Sequence, residues 1–147
     1  MQIVLLLAFV AVLPANSMFG IWKMNPARST FMGRPKPKSM SVRIEPHAKG
    51  EVFTLDEVES DGRATSDSSI LYFDGVPRSF QDFDCAFAQS SRQLDSRTIE
   101  IRGKCAGNEW TWFVRQSMEQ SKDLIIDITE MRLGHPRVEW RVVLEKQ

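Results

Sequence analysis

Few residues in this chain are of types that do chemistry, and they lie far apart. Cys85 and Cys105 are its two cysteines. Their interval is far from the C-x-x-C spacing of thiol redox centres, so they read either as one disulfide or as a pair of reduced, buried thiols. His47 and His135 both stand in turn-like stretches. A metal site needs three or four ligands, usually with paired His or Cys, so two isolated histidines read as solvated surface. Asp82 and Asp84 flank Phe83, but no D-x-D-x-D-G pattern surrounds them and a calcium loop is not indicated. The chain has no G-x-S-x-G, no placeable Ser/His/Asp set and no glycine-rich phosphate loop. The residues indicate no catalytic constellation, no metal and no cofactor.

Binding chemistry is better represented. Trp110, Trp112 and Val114 recur at every second position, and Trp140 stands in a similar run near the C-terminus. Together they make an aromatic wall that would suit an apolar or planar ligand. The aliphatic row Met40, Val42, Ile44, Ile99, Ile101, Ile126 and Ile128 would complete the lining. The same residues could equally fill a barrel completely, because an eight-strand interior is just wide enough for side chains or for one small ligand. The numerous methionines suit adaptable apolar pockets.

The elements that carry these residues alternate with period 2. Met40, Val42 and Ile44 oppose Ser41, Arg43 and Glu45; Ile99 and Ile101 oppose Thr98, Glu100 and Arg102. Leu124, Ile126 and Ile128 oppose Asp127 and Thr129. Val138, Trp140, Val142 and Leu144 oppose Arg137, Glu139, Arg141 and Glu145. Successive strand side chains point to opposite faces, so each segment has one dry and one wet face. Less regular strands are expected at 20–24, 52–58, 68–73 and 85–93. Turn signals separate them, with Asp61-Gly62 and Asp74-Gly75 the strongest hairpin candidates. Pro26 to Pro37 reads as an irregular crossing segment with room for one helical turn. Short strands at regular spacing with no amphipathic helix predict an all-β fold, an antiparallel up-and-down β-barrel or a sandwich of about 8–10 strands.

Ile3 to Leu13 is an unbroken apolar run ended by Pro14, with the small-x-small sequence Ala15-Asn16-Ser17 after it. That is the length of a signal-peptide core and too short for a spanning helix, although Met1-Gln2 bring no positive charge. The expected division is a signal peptide over 1–17 and one domain over 18–147, secreted or periplasmic, with no stable membrane insertion after cleavage. The formal net charge is zero and no basic stripe is present, which excludes nucleic acid as an expected partner. Export favours the disulfide. The two cysteines are also symmetric about Asp95, the turn of an expected hairpin. In that register they face each other across neighbouring strands, with Phe87 over Gly103.

Gly20-Ile21-Trp22-Lys23-Met24-Asn25-Pro26-Ala27-Arg28-Ser29-Thr30-Phe31 resembles the opening of small exported bacterial lipocalin-like proteins, G-T-W-K-L-N followed by P-A-K-S-x-F. The Pro-rich stretch Pro35-Lys36-Pro37-Lys38-Ser39, the turn Tyr72-Phe73-Asp74-Gly75, the hairpin Leu94-Asp95-Ser96-Arg97-Thr98-Ile99-Glu100 and the ending Glu145-Lys146-Gln147 extend the resemblance along the chain. It implies a lipocalin-like, calycin-like barrel. It also implies a structural role for Trp22, plugging the closed end beneath an arginine of the last strand, Arg137 or Arg141. The Arg-x-Tyr of cytosolic fatty-acid-binding barrels is absent, since Arg141 is followed by Val142 and Val143. The functional expectation is an exported binder of a small hydrophobic or lipid-like ligand. The alternative is a packed barrel that contacts a protein partner of unknown identity through loops such as 34–38 or 76–83, with Phe80 and Phe83 as anchors.

Overall fold

A computed structural model describes residues 18–80, 85–107, 110–118 and 122–147. The expected signal peptide, Asp82, Phe83 and Asp84 lie outside these residues, and of Phe80 only the backbone is described. Among the described residues there are eleven strands and no helix: β1 (Gly20–Met24), β2 (Thr30–Met32), β3 (Ser39–His47), β4 (Gly50–Val58), β5 (Ala64–Tyr72), β6 (Arg78–Phe80), β7 (Ala86–Asp95), β8 (Thr98–Ala106), β9 (Trp110–Met118), β10 (Leu124–Arg132) and β11 (Val138–Lys146). All pair antiparallel in one sheet, ten of them in the order β5-β4-β3-β1-β11-β10-β9-β8-β7-β6 and β2 off that path against β11. The up-and-down order follows from short connections between sequential strands.

The period-2 pattern decides which face turns inward. Met40, Val42 and Ile44 are buried while Arg43 and Glu45 between and beside them are exposed. Ile99, Ile101, Leu124, Ile126, Val142 and Leu144 join them in one core cluster with Trp22 and Met24. The sheet curls until its two ends meet near Tyr72 and Ser91. The Ser91 hydroxyl donates to the Tyr72 carbonyl at 2.5 Å, and the Gly75 N–H donates to the Ser91 carbonyl at 2.9 Å. Asp74 makes a single antiparallel bridge with Arg92. Asp74-Gly75 is therefore not the hairpin turn that its composition suggests; it carries the chain across the seam from β5 toward β7. Asp61-Gly62 does turn a hairpin, between β4 and β5. There the Glu59 N–H donates to the Arg63 carbonyl at 2.8 Å, and Gly62 has a φ of 92° that favours glycine.

The segment expected to be irregular contains a strand and, before it, one hydrogen-bonded turn over 26–28, where the Arg28 N–H donates to the Asn25 carbonyl at 3.3 Å. β2 pairs with β11 through Phe31 opposite Trp140, while β1 pairs with the far part of the same strand through Met24 opposite Leu144. The crossing between them spans the gap at Val143. The Asn25 N–H donates to the Val143 carbonyl at 2.8 Å, and the Val143 N–H donates to the Ser29 hydroxyl at 3.0 Å. Asn25 Oδ1 accepts from the N–H groups of Ala27 and Arg28, which shapes the turn. The N-P-A-R-S stretch thus supplies by side chain the partner that an unbroken strand would supply by backbone. Val143, and Ile125 opposite it in the ladder, are buried although their positions point away from the interior.

Two expectations about register and plugging are corrected. The β7–β8 ladder sets Phe87 opposite Cys105 and Gln89 opposite Gly103, with an irregularity between Gln93 and Asp95. Phe87 is thus two residues from the position expected over Gly103, because the irregularity at Leu94 and a turn at Ser96-Arg97 shift the pairing. The Cys85–Cys105 disulfide is nevertheless formed, with Cα atoms 5.7 Å apart, since Cys85 stands just before β7 and reaches Cys105 diagonally. Trp22 is wholly buried, and its Nε1 donates to the Met18 carbonyl at 2.7 Å. The cation over its ring is Lys146, with Nζ 5.3 Å from the centroid, rather than Arg137 or Arg141. Parity is the reason. Trp22 pairs with Lys146, whereas Arg141 lies at an outward position of β11 and Arg137 just before that strand, where they pair with Asp127 and Glu139.

Candidate functional site

The curled sheet encloses a cavity of about 190 Å³. Met40, Ile101, Trp112, Ile126, Ile128 and Trp140 line it, six of the ten residues that the sequence suggests as lining. Val42, Ile44 and Ile99 lie instead in the packed core. Trp110 stands beyond the lining, its ring 5.1 Å from that of Trp112. Arg132 covers the Trp110 ring at 5.1 Å, and Glu130 accepts a hydrogen bond from Trp110. Burial raises the Glu130 carboxyl above its ordinary range. Phe53, Leu55 and Leu71, from β4 and β5, complete the apolar wall. Their strands alternate less cleanly in sequence, so no regular apolar row marked them.

Trp112 owes its position to a glycine. Gly103 lies opposite it in the ladder, and a Cβ added there would stand 1.8 Å from the indole. Only bare backbone lets the ring lie flat across β8. Phe87 stacks on the other side, with centroids 4.0 Å apart and planes within 14°. The disulfide ties the end of β8 to the residue before β7, two positions from Phe87.

At another edge Arg34, from the Pro-rich segment, lies 4.1 Å from the Trp140 ring centre. It pairs with Glu57 and, at 3.0 Å, with Glu59. Phe31 packs against Trp140 with centroids 6.1 Å apart. A guanidinium over an indole contributes about 1 kcal/mol, more where water is excluded. The segment expected to be an exposed loop is thereby fastened against a wall of the cavity.

Two polar residues that the sequence did not single out lie deep in the barrel. Gln116 lines the cavity and is fully buried; Glu51 is 1 % exposed. Gln116 Nε2 donates to Glu51 Oε1 at 3.0 Å and lies 3.5 Å from Met18 Sδ. Gln116 Oε1 has no hydrogen-bond partner, and Trp140 Nε1 is likewise buried and unpartnered. Burial pushes the Glu51 carboxyl up to about 7, opposed only in part by the hydrogen bond from Gln116. The available signal was parity, since Glu51 and Glu57 fall on the same face as Phe53 and Leu55. A glutamate at that spacing also fits the wet face of an edge strand, so the pattern alone is ambiguous.

Among the described residues no three His, Cys, Asp or Glu side chains converge as metal ligands. His47 Nδ1 accepts from the Lys49 N–H at 3.2 Å, and its ring meets the Tyr72 edge. Among the described residues, no helix is long and apolar enough to cross a membrane.

This geometry has counterparts among solved structures. The crystal structure of the fluorescent protein UnaG superposes with a TM-score of 0.54 over 88 % of this chain and 97 % of that one, at 12 % identity. The fold is calycin-like. A point mutant of UnaG matches with a TM-score of 0.53 at 12 % identity, over 88 % and 96 % of the two chains. A Schistosoma mansoni fatty acid binding protein in complex with arachidonic acid gives 0.49 at 8 % identity, over 89 % and 98 %. No family model and no curated protein sequence matches the chain.

Proposed function

We propose that this protein is an exported binding protein of the lipocalin-like type and holds a small apolar molecule inside its barrel. The observation that carries the reading is the cavity itself: about 190 Å³ of space walled by Trp112, Trp140, Met40, Phe53, Ile126 and Ile128. A dry cavity of about 150 Å³ lined by aliphatic and aromatic side chains is enough to bind benzene, so this one suits a ligand of roughly ten heavy atoms. Apolar walls with few polar groups are the usual composition of such sites. Export is supported by the apolar run before Pro14 and by the disulfide, which persists in oxidising compartments.

Native mass spectrometry of the mature protein from its own host tests the proposal, followed by the same measurement under denaturing conditions. An adduct that disappears on denaturation is the expected result, with a mature chain beginning near Met18. A bare protein that also takes up no apolar probe in titrations followed by tryptophan fluorescence would reject it.

A further inference from the structure

Three polar side chains, Ser69, Gln89 and Gln116, interrupt the apolar lining of the cavity, and of these Gln116 is the fully buried one. Gln116 spends its amide nitrogen on Glu51 and leaves its buried Oε1 without a partner. Its neighbour is a carboxyl group. Both offer hydrogen-bond acceptors; Glu51 becomes a donor only when protonated. None of the residues lining the cavity is Lys, Arg or His. Arg34, the guanidinium beside the Trp140 wall, already pairs with the carboxylates of Glu57 and Glu59. The donors on the lining, the Ser69 hydroxyl, the Gln89 amide and the unpartnered Trp140 Nε1, are neutral, so a ligand carboxylate would be buried near Glu51 with no counter-charge, a costly arrangement. A head group with N–H or O–H would instead satisfy Gln116 Oε1. Leaving that atom unmatched costs the desolvation of a polar group.

We propose that the Glu51–Gln116 pair is the polar anchor of the cavity. It selects an uncharged or cationic apolar ligand whose head group donates a hydrogen bond, an amide, alcohol or amine, and rejects one ending in a carboxylate. The inference rests on the binding reading above and adds the ligand class to it. The charged groups beyond the pair are Arg34, Glu57 and Glu59 beside Trp140, and Glu130 and Arg132 beside Trp110. The hydrogen bond to Glu51 comes from Gln116. The raised Glu51 carboxyl adds a pH dependence: above about 7 it is charged, and discrimination against an anion is greatest there.

Calorimetric titration of the whole mature protein at pH 8.5 with octanamide, 1-octanol, octylamine and octanoate tests this. Octanamide, octanol and octylamine are expected to bind about tenfold or more tightly than octanoate, the factor that one unmet buried hydrogen bond corresponds to. Glu51→Gln should recover most of the lost octanoate affinity. Gln116→Leu, which removes the acceptor, should weaken octanamide by about tenfold. Octanoate binding as tightly as octanamide would overturn the anchor and leave the binding reading standing. A preference that survives both substitutions would overturn its assignment to this pair. No binding of any of these probes would overturn the anchor and the binding reading together.

Discussion

Replacing Glu51 by Gln should remove a specific pH dependence from the stability of this protein. The Glu51 carboxyl is buried and raised to about 7, whereas an ordinary glutamate titrates near 4.5. The difference of about 2.5 in pKa corresponds to about 3 kcal/mol at 1.36 kcal/mol per pH decade. The sign follows from proton counting. Between these values the folded chain holds a proton that the unfolded chain releases, so raising the pH favours unfolding. The contribution is fully present below about 4.5 and is lost as the pH rises through about 7. Other carboxyls act as well. Burial raises Glu130 and works in the same direction. The hydrogen bond from Arg78 lowers Asp74, and that from Arg102 lowers Glu100; both contribute stability that is lost as the pH falls. The difference between wild type and E51Q cancels these common contributions. Urea unfolding of both proteins at intervals from pH 4.5 to 8.5 gives that difference directly. Wild type should lose about 3 kcal/mol relative to E51Q across the range. A difference flat to within about 0.5 kcal/mol, or one that grows in wild type's favour as the pH rises, would refute the buried, nearly solitary carboxyl.

Other perturbations probe the scaffold. Ser29→Ala removes the acceptor of the Val143 N–H and should cost about 1–3 kcal/mol in urea unfolding; a loss below the error of that measurement would show that the crossing segment does not depend on this bond. Gly103→Ala sets a methyl group into the Trp112 ring and should cost about 1–3 kcal/mol by overpacking, with a changed near-ultraviolet circular dichroism spectrum; an unaltered spectrum would contradict the stacked geometry. Replacing Cys85 and Cys105 together by Ala opens a loop with a sequence separation of 20 and should lower stability by about 3 kcal/mol. An equal midpoint for this variant and wild type, with wild type insensitive to reductant, would argue against the bridge.

Local patterning made the strands legible. Side-chain direction alternates along a strand whatever its partners are, so Met40, Val42 and Ile44 declare a dry face without reference to the rest of the chain. The same logic covers Ile99 and Ile101 on β8 and Ile126 and Ile128 on β10. Parity also held the answer to the plug of Trp22: Arg141 is on the wet face of β11, with Arg137 just before that strand, whereas Lys146 pairs with Trp22. Pairing between distant segments was less legible. The turn at Ser96-Arg97 and the irregularity at Leu94 together set Phe87 opposite Cys105 rather than Gly103, because a displaced turn centre or an extra residue shifts every partner beyond it. Asp74-Gly75 has hairpin composition, yet its neighbours in sequence are the two ends of the sheet, so closure of the barrel determined what it joins.

The sequence by itself therefore determined the long strands and most of their inward faces, since each follows from neighbours along the chain, while the short strands β2 and β6 and the bond between Cys85 and Cys105 were decided by the fold that brings distant segments together. Only the tertiary structure decided the cavity's extent, the glycine that seats Trp112, the clasp of Arg34 on Trp140 and the Glu51–Gln116 pair. Each of these depends on curvature and register that bring together residues from strands remote in sequence. A polar side chain at an inward position reads the same on paper whether it meets water, a partner or an empty space; burial against the opposite wall is what distinguishes them.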